Sequence, residues 1–126
     1  MYKQPQVKDK DFVTTFNHIL SKCQSEYKHC VILGDMNVNM LKAKHCLEET
    51  FQVTGCKNVV QEPTCFKSNV PTLIDIIVTN APRNLSSVKG IDFCLSDVHN
   101  MICFSTKAYA PVKQKKYDQI QKFQTF

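Results

Sequence analysis

The stretch that decides the fold is Thr72-Leu73-Ile74-Asp75-Ile76-Ile77-Val78, an apolar run with prolines on either side. Its β-branched residues and flanking turn residues predict a strand over 73–78 that is buried on at least one face. Side chains alternate along a strand, so Asp75 is expected to share a face with Leu73 and Ile77. Burying a lone carboxylate is costly unless it is paired or its pKa rises. We therefore expect either a structural ion pair at Asp75 or a catalytic partner, such as a histidine that it orients.

Short apolar runs and helical spacings lie on both sides of this strand. Apolar residues recur at helical spacing over 12–23, and a second helix is predicted through Leu47 and Phe51, with Gly55 just past its end. The other predicted strands are residues 30–33, 59–60, 88–95 and 101–106. Interspersed helices and strands predict an α/β or α+β fold with strands buried on at least one face.

The chain divides into a nearly neutral body and a basic end. It has 126 residues and a net charge of +5, and residues 107–126 contain five lysines and one aspartate. This length holds one domain or a large fragment of one. We predict a folded unit over 1–110 and a linker or tail over 111–126. Such a tail either lies near a polyanion or is a solvated linker.

Seven cysteines occur without a Cys-x-x-Cys pair, and several lie inside apolar runs. Zinc sites need closely spaced ligands, and secreted scaffolds need dense, even cysteines. This usage is typical of small apolar residues in a reducing compartment. No apolar stretch approaches the roughly 18 residues that span a bilayer, and residues 1–11 lack a signal-peptide core. An intracellular protein, nuclear or cytoplasmic and without membrane contact, is the resulting expectation.

Gly34-Asp35-Met36-Asn37 directly follows an apolar strand. Short polar residues at this position form an Asx-turn or a cap without further function. Alternatively, Asp35 and Asn37 project from the end of the strand where open α/β sheets place their ligands. A carboxylate there can orient a water molecule, and an amide can bind a phosphate oxygen.

Ser96-Asp97-Val98-His99 leads into the last predicted strand. In an extended stretch Asp97 and His99 would lie on one face, roughly 6.5–7 Å apart. That arrangement suits a metal-binding carboxylate and an imidazole donor that act on one phosphate, although an ordinary strand start with a surface histidine fits the same pattern. The other three histidines lack acidic or cysteine partners at ligand spacing and are expected at the surface.

In this order, the three motifs resemble the latter half of the endonuclease/exonuclease/phosphatase superfamily, which reads Gly-Asp-x-Asn, then Ile/Leu-Asp in a strand, then Ser-Asp-His. Tyr2-Lys3-Gln4-Pro5, Glu62-Pro63-Thr64 and Thr79-Asn80 are similar to its non-LTR retrotransposon endonucleases. The basic tail, with Tyr117 and Phe123, resembles the linker that leads toward a reverse transcriptase in such elements.

The resemblance implies a four-layer α/β sandwich of two packed sheets, of which this chain would supply the C-terminal half, truncated at the N-terminus. It also implies roles in hydrolysing DNA phosphodiester bonds. Asp35 would activate water, Asn37 would hold a phosphate oxygen, and Asp97 would help to bind Mg²⁺ or Mn²⁺, held weakly in a fragment. His99, oriented by Asp75, would contact the scissile phosphate.

Two departures from the family pattern affect this expectation. The metal-binding Glu and a substrate-binding Asn of the family fall before the start of this sequence, so a fragment is expected to be inactive alone. Val98 separates Asp97 from His99, which are adjacent in the commonest form of the motif, and one inserted residue turns a side chain to the opposite face unless a β-bulge absorbs it. Two alternatives stay open: a phosphatase of the same superfamily, and a non-catalytic module that folds with a partner.

Overall fold

The computed structural model describes residues 1–42, 46–92 and 98–107. It contains a mixed α/β fold with two helices and two small antiparallel sheets. The elements are α1 (Asp9–Glu26), β1 (Val31–Asp35), α2 (Cys46–Thr54), β2 (Lys57–Asn58), β3 (Asp75–Thr79), a 3-10 turn (Pro82–Asn84), β4 (Leu85–Ile91) and β5 (Met101–Thr106). The predicted tail over 111–126 lies outside the described residues.

The first sheet has the strand order β1-β3-β2, with both outer strands antiparallel to β3. The register runs from Val31 opposite Thr79 to Asp35 opposite Asp75. The second sheet is the β4–β5 hairpin, whose register shifts between Ser86 and Lys89. The central position of β3 explains why Ile76, Ile77, Val78 and Thr79 are all buried.

One hydrophobic core joins the helices to the first sheet. The helix α1 contributes Phe12, Phe16 and Leu20, which recur at helical spacing. The Phe16 ring lies 5.9 Å from Phe12 and 5.9 Å from Phe51 of α2, in a tilted and an edge-on arrangement respectively. Ile76 and Val78 complete this cluster from β3. Neither described helix has the length and apolar character needed to span a bilayer.

The free edge of β1 is covered only in part. The Met1 ammonium donates to Leu33 O at 2.8 Å, and Lys3 N donates to Asp35 O at 2.9 Å, so the N-terminal residues run parallel to the strand. The Lys3 side chain is buried and forms an ion pair with Asp9 at 3.1 Å. On the same strand, the Val31 and Leu33 residues are still 40% and 47% exposed. An apolar strip therefore remains open to solvent beside this edge.

Gly34 is required by the close approach of the N-terminal residues. A Cβ built there would lie 1.7 Å from Met1 O. We expect Gly34→Ala to displace residues 1–3 and to lower the free energy of unfolding by about 1–3 kcal/mol. The measurements are thermal unfolding and hydrogen exchange at the Lys3 amide. Gly90→Ala is the control, because its added Cβ would be 3.7 Å from the nearest atom. Equal stability losses in both variants would contradict this role for Gly34.

The strand expected at 73–78 is β3 over Asp75–Thr79, and two further predicted strands are also shifted in the structure. The strand expected at 59–60 is instead Lys57–Asn58, because Asn58 Oδ1 accepts hydrogen bonds from Ile77 N and Val60 N, both at 3.2 Å, and ends the regular ladder. The strand expected at 88–95 begins at Leu85 and ends at Ile91. Residues 93–95 lie outside the described part of the chain.

Candidate functional site

Two carboxylates lie side by side where β1 ends and β3 begins. Asp35 is the last residue of β1 and lies directly opposite Asp75, the first residue of β3. Directly opposed residues of antiparallel strands have Cβ atoms roughly 4.5–5.5 Å apart and project on the same face. Both aspartates are partly buried. Like charges so placed repel each other, and a cation between them would remove that repulsion.

His99 completes a cluster with these two aspartates. Its Nδ1 lies 2.9 Å from Asp75 Oδ2, with side-chain exposures of 34% for His99 and 21% for Asp75. A carboxylate only accepts hydrogen bonds, so Nδ1–H is the donor in this contact. The expected contact between Asp75 and a histidine is present. It accounts for a carboxylate beside Ile76 and Ile77 in an apolar strand.

The cluster is suited to a cation. Asp35, Asp75 and His99 each offer a ligand atom, and these atoms lie within 4.8 Å of one another. Carboxylate oxygens suit Mg²⁺ and Mn²⁺, whereas an imidazole nitrogen is more typical of Zn, Cu, Fe and Ni sites. Asp75 can act as a ligand, or as the partner that orients the His99 ring. The two carboxylates fit the divalent cation expected from the sequence, while the identity of the metal stays a prediction.

Asn37 is held by the same turn but its side chain is engaged elsewhere. It has a positive φ of 47°, which Asn tolerates better than most residues, and its N–H donates to Asp35 Oδ1 at 2.8 Å. This is the Asx-turn that the motif predicts. Its Nδ2 donates to Lys3 O at 2.7 Å. Asn37 therefore links the N-terminal residues to Asp35, and its phosphate-binding role stays a prediction.

Asp97, the predicted metal ligand, lies outside the described residues. His99 itself faces the site, since it forms an antiparallel bridge with Cys65 and bonds Asp75. Of the five predicted site residues, the structure thus brings Asp35, Asp75 and His99 together and fixes Asn37 beside Asp35.

A cleft of about 190 Å³ opens beside the cluster between the two sheets. Its walls include Asp35, Asp75, Leu33, Ile77, Ile102 and Phe104. A larger cavity of about 370 Å³ lies against α2 and the residues after β2, and none of the four predicted site residues that the structure describes lines it. The smaller cleft is the candidate functional site, because the carboxylates of Asp35 and Asp75 border it.

Thr64 supports the site, although the motif Glu62-Pro63-Thr64 by itself predicts no role for this residue. The Thr64 side chain is buried, and its Oγ1 accepts hydrogen bonds from Ile74 N at 3.2 Å and Asp75 N at 3.1 Å. A threonine directly after a proline, upstream of an aspartate-bearing strand, was the available signal. That it reaches back to this strand could only be seen in three dimensions.

Comparison with known proteins gives no relative: no family model, no curated protein and no solved structure matches the chain. The functional assignment therefore depends on the geometry around Asp35, Asp75 and His99.

Proposed function

We propose that the chain is part of a metal-dependent phosphodiesterase domain of the DNA endonuclease type, and that Asp35, Asp75 and His99 form part of its catalytic face. The observation that supports this most is the 2.9 Å contact between His99 and Asp75, directly beside Asp35. A phosphodiester resists attack until charge developing on its oxygens is stabilised. A carboxylate that orients water and an imidazole that contacts the phosphate would supply two parts of that stabilisation.

In this proposal each residue has a definite task. Asp35 orients the attacking water and would also be a ligand of the cation, while the turn N–H of Asn37 fixes the carboxylate. Asp75 holds the His99 ring with its second nitrogen toward the phosphate. A bound Mg²⁺ would act as a Lewis acid on a phosphate oxygen. Asp97 would add a further carboxylate to that metal.

The same proposal covers the architecture of the whole domain. We take the chain to be the C-terminal half of a four-layer sandwich, in which the site is completed by strands beyond β1. The exposure of Val31 and Leu33, on the same face as Asp35, supports this. Interior positions of packed sheets are normally covered. The parent protein would act on DNA, and a reverse transcriptase domain would follow the basic tail.

The test is Mn²⁺ titration of the whole chain, followed by NMR of its histidine rings. We expect Mn²⁺ in the millimolar range to broaden the His99 ring signals and Mg²⁺ to reverse this by competition, because both cations favour the carboxylate oxygens. His18 and His29, both exposed and outside the cluster, are the internal controls. Equal broadening of all three rings would show that the cluster is no metal site.

A plasmid-nicking assay tests the catalytic part of the proposal. The chain should nick supercoiled plasmid very slowly or not at all with Mg²⁺, because the cluster offers few ligands to the metal. Robust cleavage that depends on Asp35 would support the phosphodiesterase and contradict the claim that the chain is incomplete.

A second candidate is a non-catalytic module that requires a partner. The exposed Val31 and Leu33 beside the free edge of β1 favour it, because apolar groups at a sheet edge mark a surface for pairing. The Mn²⁺ titration separates the two candidates, since a pure binding module needs no cation at Asp35 and His99.

A further inference from the structure

The segment Thr64–Phe66 joins the two parts of the chain that carry Asp75 and His99. On one side, Cys65 N donates to Thr72 O and Thr72 N donates to Cys65 O, both at 2.9 Å. On the other side, Phe66 N donates to Val98 O at 2.7 Å, and Asn100 N donates to Thr64 O at 2.9 Å. Cys65 thus lies opposite both Thr72 and His99. Residues 64–66 therefore fix the position of Asp75 relative to His99 along the strands.

The Thr64 hydroxyl adds a contact that main-chain pairing cannot supply. Consecutive N–H groups of a regular strand point to opposite sides. Here Ile74 N and Asp75 N both donate to Thr64 Oγ1, so the backbone is bent just before β3 begins. Thr64 is 1% exposed, so loss of this oxygen would leave two donors without a partner at the start of the strand.

We propose that Thr64 is a positioning residue of the site: its hydroxyl fixes the bend at Ile74–Asp75 that aims the Asp75 carboxylate at His99. This inference rests on the proposed function only for its metal-binding consequence. The alignment of Asp75 with His99 follows from the hydrogen bonds alone. Its hydroxyl accepts hydrogen bonds from two main-chain N–H groups, so Thr64 acts through Asp75 and is not a catalytic residue.

The experiment compares Thr64→Val, Thr64→Ser and Thr79→Val in the whole chain. Thr64→Val keeps the shape of the side chain and removes the acceptor, and Thr64→Ser keeps the acceptor. Thr79→Val is the matched control, because Thr79 is also 1% exposed, lies at the far end of β3, and accepts a hydrogen bond from Ala81 N at 3.0 Å. The thermal unfolding of each variant is measured first, so that only folded proteins are compared.

The first readout is the pair of ¹⁵N ring signals of His99. In the wild type and in Thr64→Ser we expect one tautomer, protonated at Nδ1, because that nitrogen donates to Asp75. In Thr64→Val the two ring signals should move toward each other as the tautomers average. Thr79→Val should match the wild type even if it lowers stability. An unchanged His99 pattern in Thr64→Val, or the same change in Thr79→Val, would overturn the proposal.

The second readout is Mn²⁺ affinity. Groups that orient metal ligands typically contribute about 10–100-fold, so we expect Thr64→Val to weaken binding by about 10-fold and Thr64→Ser to restore most of it. If the wild type binds no Mn²⁺, the proposed metal site fails, and the ¹⁵N pattern alone still decides the role of Thr64. If the wild type binds Mn²⁺ and Thr64→Val binds it equally well, Thr64 does not position the site.

Discussion

Replacing Asp35 by asparagine should weaken Mn²⁺ binding by about 100-fold or more while leaving the protein as stable as the wild type or slightly more so. The carboxylate is one of three groups in the cluster, and its charge is lost in the variant. Asparagine keeps an oxygen that can accept from Asn37 N, so the turn survives. Removing one of two opposed negative charges should add about 0.2–1 kcal/mol to the free energy of unfolding.

The opposite signs of these two effects make the measurement specific. Isothermal titration with Mn²⁺ gives the affinity, and thermal unfolding without metal gives the stability. Asp92→Asn is the control, because Asp92 is exposed and lies outside the cluster. Unchanged Mn²⁺ affinity in Asp35→Asn would contradict the metal site. A large loss of stability would instead show that the Asp35 charge is structural.

The second large effect is expected from Phe16→Ala. Phe16 is fully buried between Phe12 and Phe51, and Phe→Ala at such sites costs about 3–5 kcal/mol. Since small domains are stable by about 5–15 kcal/mol, the loss should lower the melting temperature by at least about 10 °C, or abolish cooperative unfolding.

The matched change is Val53→Ala on α2, where the side chain is 87% exposed. It should alter the melting temperature by no more than a few degrees, because surface substitutions are usually within about 0.5 kcal/mol. Similar effects of the two substitutions would mean that α1 does not pack into the core as described. Circular dichroism during heating is sufficient for both.

Local pattern predicted the helices, the central strand and the main contact of the site. The helical spacing from Phe12 onward predicts α1, and the β-branched run predicts β3, because both periodicities are local. The cost of burying a carboxylate predicts a partner for Asp75 but leaves an ion pair and a histidine open. The resemblance to the superfamily points to His99, 24 residues away, and the structure contains that contact.

Features that depend on distant partners were not predictable in the same way. The end of β2 is set by the Asn58 side chain, which bonds Ile77 N on the next strand. The first residues of the run at 72–78 are not part of β3, because Thr64 Oγ1 takes the amides of Ile74 and Asp75. The buried Lys3 side chain is paired with Asp9, which lies on a different element. Composition and spacing contain no record of such pairings.

The pairing of β1 with β3 has a consequence for the order of folding. These strands are neighbours in the sheet, yet the whole of α2 and β2 separates them along the chain. Closing a long loop costs entropy before any contact can compensate, and topologies rich in such pairings fold slowly. Neither Asp35 nor Asp75 lies in α1 or α2. Because Asp35 and Asp75 become neighbours only when this distant pairing closes, the acidic pair is absent from every state in which the loop is still open.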